Sequence, residues 1–452
     1  MNKLSPEEIV KRFSDRLLRD DVNMHGFQLS VSGRTVAGAY YHPFREGMPH
    51  RLYSVSKTLT GIAVGMLVDD GLLSLDKLIT DFFRDLLPAQ PSGFLLRLTL
   101  RDMLRMATCY RKTAYQEGID TDWTSPFFTG QPDHEPGTVF SYDTGCSQVL
   151  AALVKRISGQ EVSDFLEERL FHPLGCRDSR YWLRDPSGCC QGGTGLCMSL
   201  RDLHRIAECL LRGGDGLVPR WYAEEMGKKH IDTSLQDKKE EQYGYGWQCW
   251  RTRAGWAMYG MGGQLAVICP DQQAVFSTIA DTRLDPCGVQ KIYDAFFDEI
   301  LPRLQEMDPE HPVSLCLPAA KLQDSDLAKA VENGYYVFPE SNMLSLSAAE
   351  LKPSSLTLFR NGLPAVLPFA RGETLETVWP GLPEVPALVS SSWISEGTLH
   401  LRCHAIGDAP CGFDMLVSMR GNYITIKSRC SADPLTGGYD GVASGVRRED
   451  GK

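Results

Sequence analysis

The sequence predicts an α+β protein: an antiparallel sheet flanked by helices and carrying an all-helical subdomain, followed by a small antiparallel β domain. Three observations lead there. Strand-like segments near residue 26 return near residue 246, and helical periodicity fills much of the stretch between them. Beyond about residue 312, short alternating runs broken by Gly, Pro and Asn replace that periodicity.

At the start, Ser5 is an N-cap, Pro6 the first helical residue and Glu8 the partner in a capping box, with Ile9, Val10, Phe13 and Leu17 on one face. Gly26–Val31 and Val36–Tyr41 then flank a Ser32-Gly33-Arg34 turn, the pattern of a β-hairpin. From Ser54 to Asp70 apolar residues recur at three-and-four spacing and Gly71 supplies a stop, which reads as a largely buried helix.

Helical periods cover Gln148–Ile157 and Val162–Leu170, separated by Ser158-Gly159. Strands are expected at Gly246–Trp250, Trp256–Tyr259, Leu265–Ile268 and Ala274–Ile279, and a last amphipathic helix over roughly 288–305. The β domain then contributes Leu356–Phe359, Thr398–Cys403, Phe413–Ser418 and Tyr423–Ser428. The expected domains are 1–305 and 306–452. In the second, Asn333-Gly334-Tyr335-Tyr336 and Ser392-Trp393 are expected to pack in the sheet.

A chain of 452 residues with 42% hydrophobic and 23% charged residues can bury a sizeable core and exceeds one ordinary domain. Its net charge of -10 argues against nucleic acid and anionic lipid as partners. The first residues lack the apolar core of a secretory signal, and no stretch approaches a membrane span, so a cytoplasmic protein is expected. Fourteen scattered cysteines contain no pair of CxxC motifs, so they read as free thiols; neither a metal nor another cofactor is predicted.

Three elements carry chemistry. Ser54-Val55-Ser56-Lys57 is an SxxK element opening a helix, and residues three apart share a helical face, so the Lys57 amine can approach the Ser54 hydroxyl. In the first turn, free amides point toward the nucleophile and the helix dipole favours a neutral amine, which can act as a base. Ser56 has the wrong spacing and is the second choice of nucleophile. Tyr142, within Gly137–Gly145, can relay a proton to the leaving group. Gly260-Met261-Gly262-Gly263-Gln264, expected at a strand edge, offers close backbone approach, so that the Gln264 amide could join that of Ser54 in an oxyanion hole.

These elements, in this order and spacing, resemble the serine β-lactamase-like superfamily, closest to its class C β-lactamase, DD-peptidase and esterase branch. Leu98–Leu104 and Gly192-Gly193-Thr194-Gly195-Leu196, with Ser199 and Asp202, extend the resemblance over about residues 5–305. It implies a five-stranded antiparallel sheet flanked by helices, with the active site between it and an all-helical subdomain. It also implies Ser54 as acylated serine, Lys57 as base and Tyr142 as the tyrosine of the YxN motif.

Two positions depart from the pattern. Thr144 replaces the Asn of YxN, and Met261 replaces the lysine of KTG, which a thioether cannot match in holding a carboxylate. The expected function is a serine hydrolase forming an acyl-enzyme on an ester or amide of a small, neutral or hydrophobic acyl group, taken from a small-molecule or peptide-like substrate. The alternatives are a D-amino-acid peptidase or weak β-lactamase, or a binding or sensor protein without turnover.

Overall fold

The computed structural model describes residues 4–112, 122–317, 333–370, 373–408, 411–430 and 439–448. The chain divides into two compact units, one of residues 1–39 and 46–315, the other of residues 40–45 and 316–452.

In the first unit, helix α1 (Pro6–Arg19) starts on a complete capping box between Ser5 and Glu8, and Ile9, Val10, Phe13 and Leu17 are buried. Strands β1 (Met24–Val31) and β2 (Arg34–Tyr41) follow as a hairpin, with Ser32 and Gly33 both at positive φ in its turn. The sheet is completed from the other end of the unit by β3 (Trp250–Thr252), β4 (Gly255–Gly260), β5 (Gln264–Cys269), β6 (Ala274–Ala280) and β7 (Val313–Leu317). Its order is β7-β2-β1-β6-β5-β4-β3. The five strands the resemblance implies form its centre, and β7 and β3 extend the edges to seven.

Phe13 of α1 meets Phe27 and Phe276 edge-on, with ring centres 5.0 and 5.7 Å apart, and Phe276 stacks on Phe296 at 4.2 Å. These rings lock α1 and the helical segment after residue 288 onto one face of the sheet, each large aromatic burying much apolar area. The segment is not one uniform α-helix: it runs as Gly288–Ala295, widens into a π-turn over Phe296–Ile300 and ends in 3₁₀ turns.

Helices α2 (Val55–Asp69), α3 (Thr144–Ser158) and α4 (Leu200–Leu211) build the helical part. Every residue of α2 from Val55 to Leu67 is buried, including Ser56, Lys57, Thr58 and Thr60, whose polar atoms find hydrogen-bond partners inside. The helix expected over Val162–Leu170 is α-helical only to Leu166 and continues as a π-turn over Glu167–Phe171.

Of the strand expected over Gly246–Trp250, only Trp250 lies in one, as the first residue of β3. Gln248 lies at φ 58, and Trp247 is buried between the Tyr222 ring at 5.1 Å and a stacked His230 ring at 4.7 Å. Tertiary packing of the aromatics overrides an alternating pattern that imitates a strand.

The second unit contains β8 (Gly334–Val337), β9 (Leu346–Lys352), β10 (Ser355–Arg360), β11 (Leu363–Pro368), β12 (Thr374–Trp379), β13 (Leu382–Ser395), β14 (Thr398–Ala405), β15 (Gly412–Arg420), β16 (Tyr423–Cys430) and β17 (Gly441–Arg447). They form one ten-stranded antiparallel sheet in the order β11-β10-β9-β8-β17-β16-β15-β14-β13-β12. Side chains from all ten strands and the loops between them share a single apolar core, in which Phe413 stacks on Tyr439 at 4.7 Å and Trp379 meets Phe413 at 5.3 Å. Tyr336 and Trp393 are buried there, whereas Tyr335 is 38% exposed.

Candidate active site

Ser54 sits immediately before α2, at the N-cap position, yet its side chain caps nothing. Its hydroxyl neighbours that of Tyr142 closely enough to favour the phenolate. The Ser54 amide donates to no protein acceptor among the described residues, because it precedes the first helical hydrogen bond. Tyr53 just before it is held at φ 46, a costly conformation for a bulky residue, with its hydroxyl accepting from Arg283 at 3.1 Å and Arg51 over its ring at 5.0 Å. Ser56 is excluded as nucleophile: fully buried, its hydroxyl donates to the Tyr53 carbonyl at 2.6 Å and accepts the Leu196 amide at 2.9 Å.

Lys57 lies one turn on, 1% exposed. Its ammonium donates to the Thr144 hydroxyl at 3.1 Å and the Gly193 carbonyl at 2.8 Å. Burial pushes its pKa down to about 7, Asp143 and Cys146 opposing. At neutral pH a sizeable fraction is therefore free amine, as a base requires. Thr144, first residue of α3, thus keeps one function of the missing asparagine, accepting from lysine.

The Gly193 carbonyl is aimed by its own clamp. The Gly192 amide donates to Gln148 Oε1 at 3.0 Å and its carbonyl accepts from Thr60 at 2.8 Å. A Cβ on Gly193 would lie 2.6 Å from Thr144 Cγ2 and 2.9 Å from Lys57 Nζ, so only glycine leaves room for the lysine head.

Tyr142 presents its ring face to Lys57, with Nζ 5.2 Å from the ring centre, and its hydroxyl to Ser54. It packs against Trp250 and Tyr245 at 5.4 and 6.2 Å. Desolvation raises its pKa, the Ser54 contact opposing, so it is a neutral phenol at ordinary pH. Lys57 is the group able to accept a proton, and Tyr142 the group able to pass one on.

Met261, Gly262 and Gly263 form the turn between β4 and β5, not an interrupted strand edge, with Gly262 and Gly263 at φ 83 and 97. The Gln264 side chain locks this turn, donating to the Met261 and Ala280 carbonyls at 3.1 and 2.7 Å, and is not free to bind a ligand. A Cβ on Gly260 would strike the Leu52 carbonyl at 2.1 Å. Glycine there lets the end of β4 lie against the turn that delivers Ser54, which brings the Gln264 backbone, paired with Gly260, to the same corner.

A cavity of about 490 Å³ opens over these residues, lined by Ser54, Tyr142, Met261 and Gly262 and also by Trp250, Tyr259, Lys238, Glu241 and Arg283. The last five were not foreseen. Lys238, Glu241 and Arg283 stand on connections carrying no recognisable motif; Trp250 and Tyr259 were read only as strand residues. Among the described residues, no group of His, Cys, Asp and Glu could hold a metal, and no helix is long and apolar enough to cross a membrane.

The Beta-lactamase family model matches residues 15–286. Curated relatives include "Penicillin-binding protein 4" of Amycolatopsis lactamdurans, 31% identical over 28% of this chain and 34% of that protein. The 6-aminohexanoate-dimer hydrolase of Paenarthrobacter ureafaciens is 25% identical over 41% of this chain and 52% of that protein. The chain thus spans about a third to a half of the length of these relatives. Among solved structures, EstCE1, described as a hydrolase with promiscuous acyltransferase activity, aligns with a TM-score of 0.54 at 17% identity over 65% of this chain and 99% of its own. The octameric penicillin-binding protein homologue from Pyrococcus abyssi aligns with a TM-score of 0.50 at 14% identity, over 94% of this chain and 98% of its own. At these identities the structures establish the shared fold, and together with the family match over 15–286 they settle the lineage: the chain belongs to the beta-lactamase family.

Proposed function

We propose that the protein is a serine hydrolase that cleaves an ester or amide through an acyl-enzyme on Ser54. The observation that carries this reading is the buried Lys57, whose pKa of about 7 leaves a base at neutral pH one helical turn from Ser54, with Tyr142 neighbouring the serine. Lys57 takes the Ser54 proton as Oγ attacks the carbonyl. The Ser54 and Gln264 amides hold the oxyanion, and Tyr142 passes a proton to the leaving alcohol or amine. Lys57 gives its proton back to Tyr142; water then attacks the acyl-enzyme as Lys57 takes one of its protons, and the acid leaves as Ser54 Oγ regains that proton. The names of the relatives, a 6-aminohexanoate-dimer hydrolase and an esterase of Burkholderia gladioli among them, agree with this chemistry.

The half-exposed Met261, with Trp250 and Tyr259, gives one side of the cavity an apolar wall suited to a small neutral or hydrophobic acyl group. A second reading, a D-amino-acid peptidase or weak β-lactamase, is favoured by Lys238, a cation that lines the cavity despite the loss of the KTG lysine.

A panel of p-nitrophenyl esters of two to eight carbons, with D-alanyl peptides and a chromogenic cephalosporin alongside, tests the proposal. Turnover that disappears in Ser54→Ala is expected on the shorter esters. Covalent labelling of Ser54 without turnover on any substrate would overturn it in favour of a sensor.

A further inference from the structure

Lys238 is a cation lining the cavity that the acyl-transfer cycle does not use. Its ammonium donates to Tyr259 Oη at 3.0 Å and Glu241 Oε1 at 3.1 Å, so two of its three N–H groups have partners. The side chain is 38% exposed, and Lys238, Glu241 and Tyr259 all line the cavity that Ser54 lines. Tyr259 interacts with both neighbours and orients the lysine head.

The other cation of the wall is committed elsewhere. The Arg283 guanidinium donates to Asp281 at 2.7 and 3.1 Å and to the Tyr53 hydroxyl at 3.1 Å, and its side chain is 7% exposed. It props the strained residue before Ser54 rather than facing a ligand.

Resting on the hydrolase reading above, we infer that Lys238, oriented by Tyr259 and Glu241, donates its remaining N–H to a carboxyl-derived acceptor oxygen of the substrate, a carboxylate or a primary amide. The substrate class is then an ester or amide bearing such a polar end, held against Lys238 while its reacting carbonyl lies at Ser54. Glu241 sets the choice between the two acceptors: its charge offsets that of Lys238 and so moderates the attraction for an anion without removing the donor.

The test uses three matched p-nitrophenyl esters, the hemiglutarate, the glutaramate and the valerate. A second set of butyrates carries a carboxylate, a carboxamide or an ethyl group on the leaving phenol, so the two sets tell which end of the substrate reaches Lys238. In one of the sets, Lys238→Met is expected to lower kcat/KM about tenfold or more for the two acceptor-bearing esters. It should change the aliphatic ester less than about twofold, and Lys238→Arg should restore part of the loss. Glu241→Gln should favour the carboxylate over the amide. Equal losses on all three esters in both sets, or no loss on any, would overturn the subsite.

If the wild type hydrolyses none of these esters, the hydrolase reading fails on its own. The subsite is then decided by calorimetric binding of glutaramate and glutarate monomethyl ester: weakening by Lys238→Met supports it, and unchanged affinity for both rejects it.

Discussion

The Lys57 ammonium faces the Tyr142 ring with Nζ 5.2 Å from its centre, while the Tyr142 hydroxyl neighbours Ser54. One phenol therefore connects the base to the nucleophile from two sides, and it explains why an ammonium can be held in a nearly dry site: the ring face, the Thr144 hydroxyl and the Gly193 carbonyl replace its water.

The pKa of Lys57 fixes two pH dependences. Hydrolysis requires the free amine, so kcat/KM should rise with pH with a midpoint at about 7. Stability follows the same titration. Because the folded-state pKa of about 7 lies below the ordinary 10.5, the unfolded chain binds more protons between these values, and the wild type should gain stability as pH rises through that window. Urea midpoints at pH 6.5, 8 and 9.5 should show the wild type gaining on Lys57→Met as pH increases; a constant difference would show that the lysine is not depressed.

Gly193→Ala should cost activity far more than stability. Its Cβ would lie 2.9 Å from Lys57 Nζ, and displacing the base by about an ångström costs on the order of 100-fold in rate. Steady-state kinetics and thermal melting measured together check this; activity within about threefold of wild type would refute the placement of Lys57 against this carbonyl.

Gln248 ties the helix of Ser54 and Lys57 to the helix that begins with Thr144. Its backbone carbonyl accepts from Thr58 at 2.6 Å, and its Oε1 accepts from Ser147 at 2.6 Å. Its Nε2 donates to the Met103 and Leu104 carbonyls at 3.0 and 3.2 Å. Gln248→Met would leave the buried Ser147 hydroxyl without its acceptor and take one donor each from the Met103 and Leu104 carbonyls, which keep the Cys146 thiol and the residue-248 amide, so a loss of about 1–3 kcal/mol is expected by chemical denaturation. Gln248→Glu keeps the shape and the Ser147 contact but cannot donate when ionised, so its deficit should grow with pH.

Ser56→Ala separates the two serines of the SxxK element. It removes the acceptor of the buried Leu196 amide and should destabilise by about 1–3 kcal/mol, while leaving a reactive Ser54. Loss of probe labelling in a folded Ser56→Ala protein would contradict that division of roles.

What could be read in advance divides along physical lines. The Ser5 capping box, the turn at Ser32-Gly33 and the meeting of Lys57 with the residue at 144 depend on local spacing or on a motif that keeps its order along the chain. Gly246–Trp250 failed because Trp247 is held by His230 and Tyr222, residues distant in sequence. The cavity wall at Lys238, Glu241 and Arg283 belongs to connections whose paths are set by packing, and no periodicity points to them. The Met261 turn was placed on the right residues but given the wrong local shape, since paired glycines mark close approach in a strand and a tight turn alike.

In the proposed cycle Ser54 is a nucleophile activated by Lys57. Fluorophosphonate labelling across pH, followed by intact mass and peptide mapping, tests it most directly. One adduct is expected, on the Ser54 peptide, absent in Ser54→Ala and forming faster with pH around a midpoint near 7. An adduct that persists in Ser54→Ala, or a labelling rate independent of pH between 5.5 and 8.5, would contradict it.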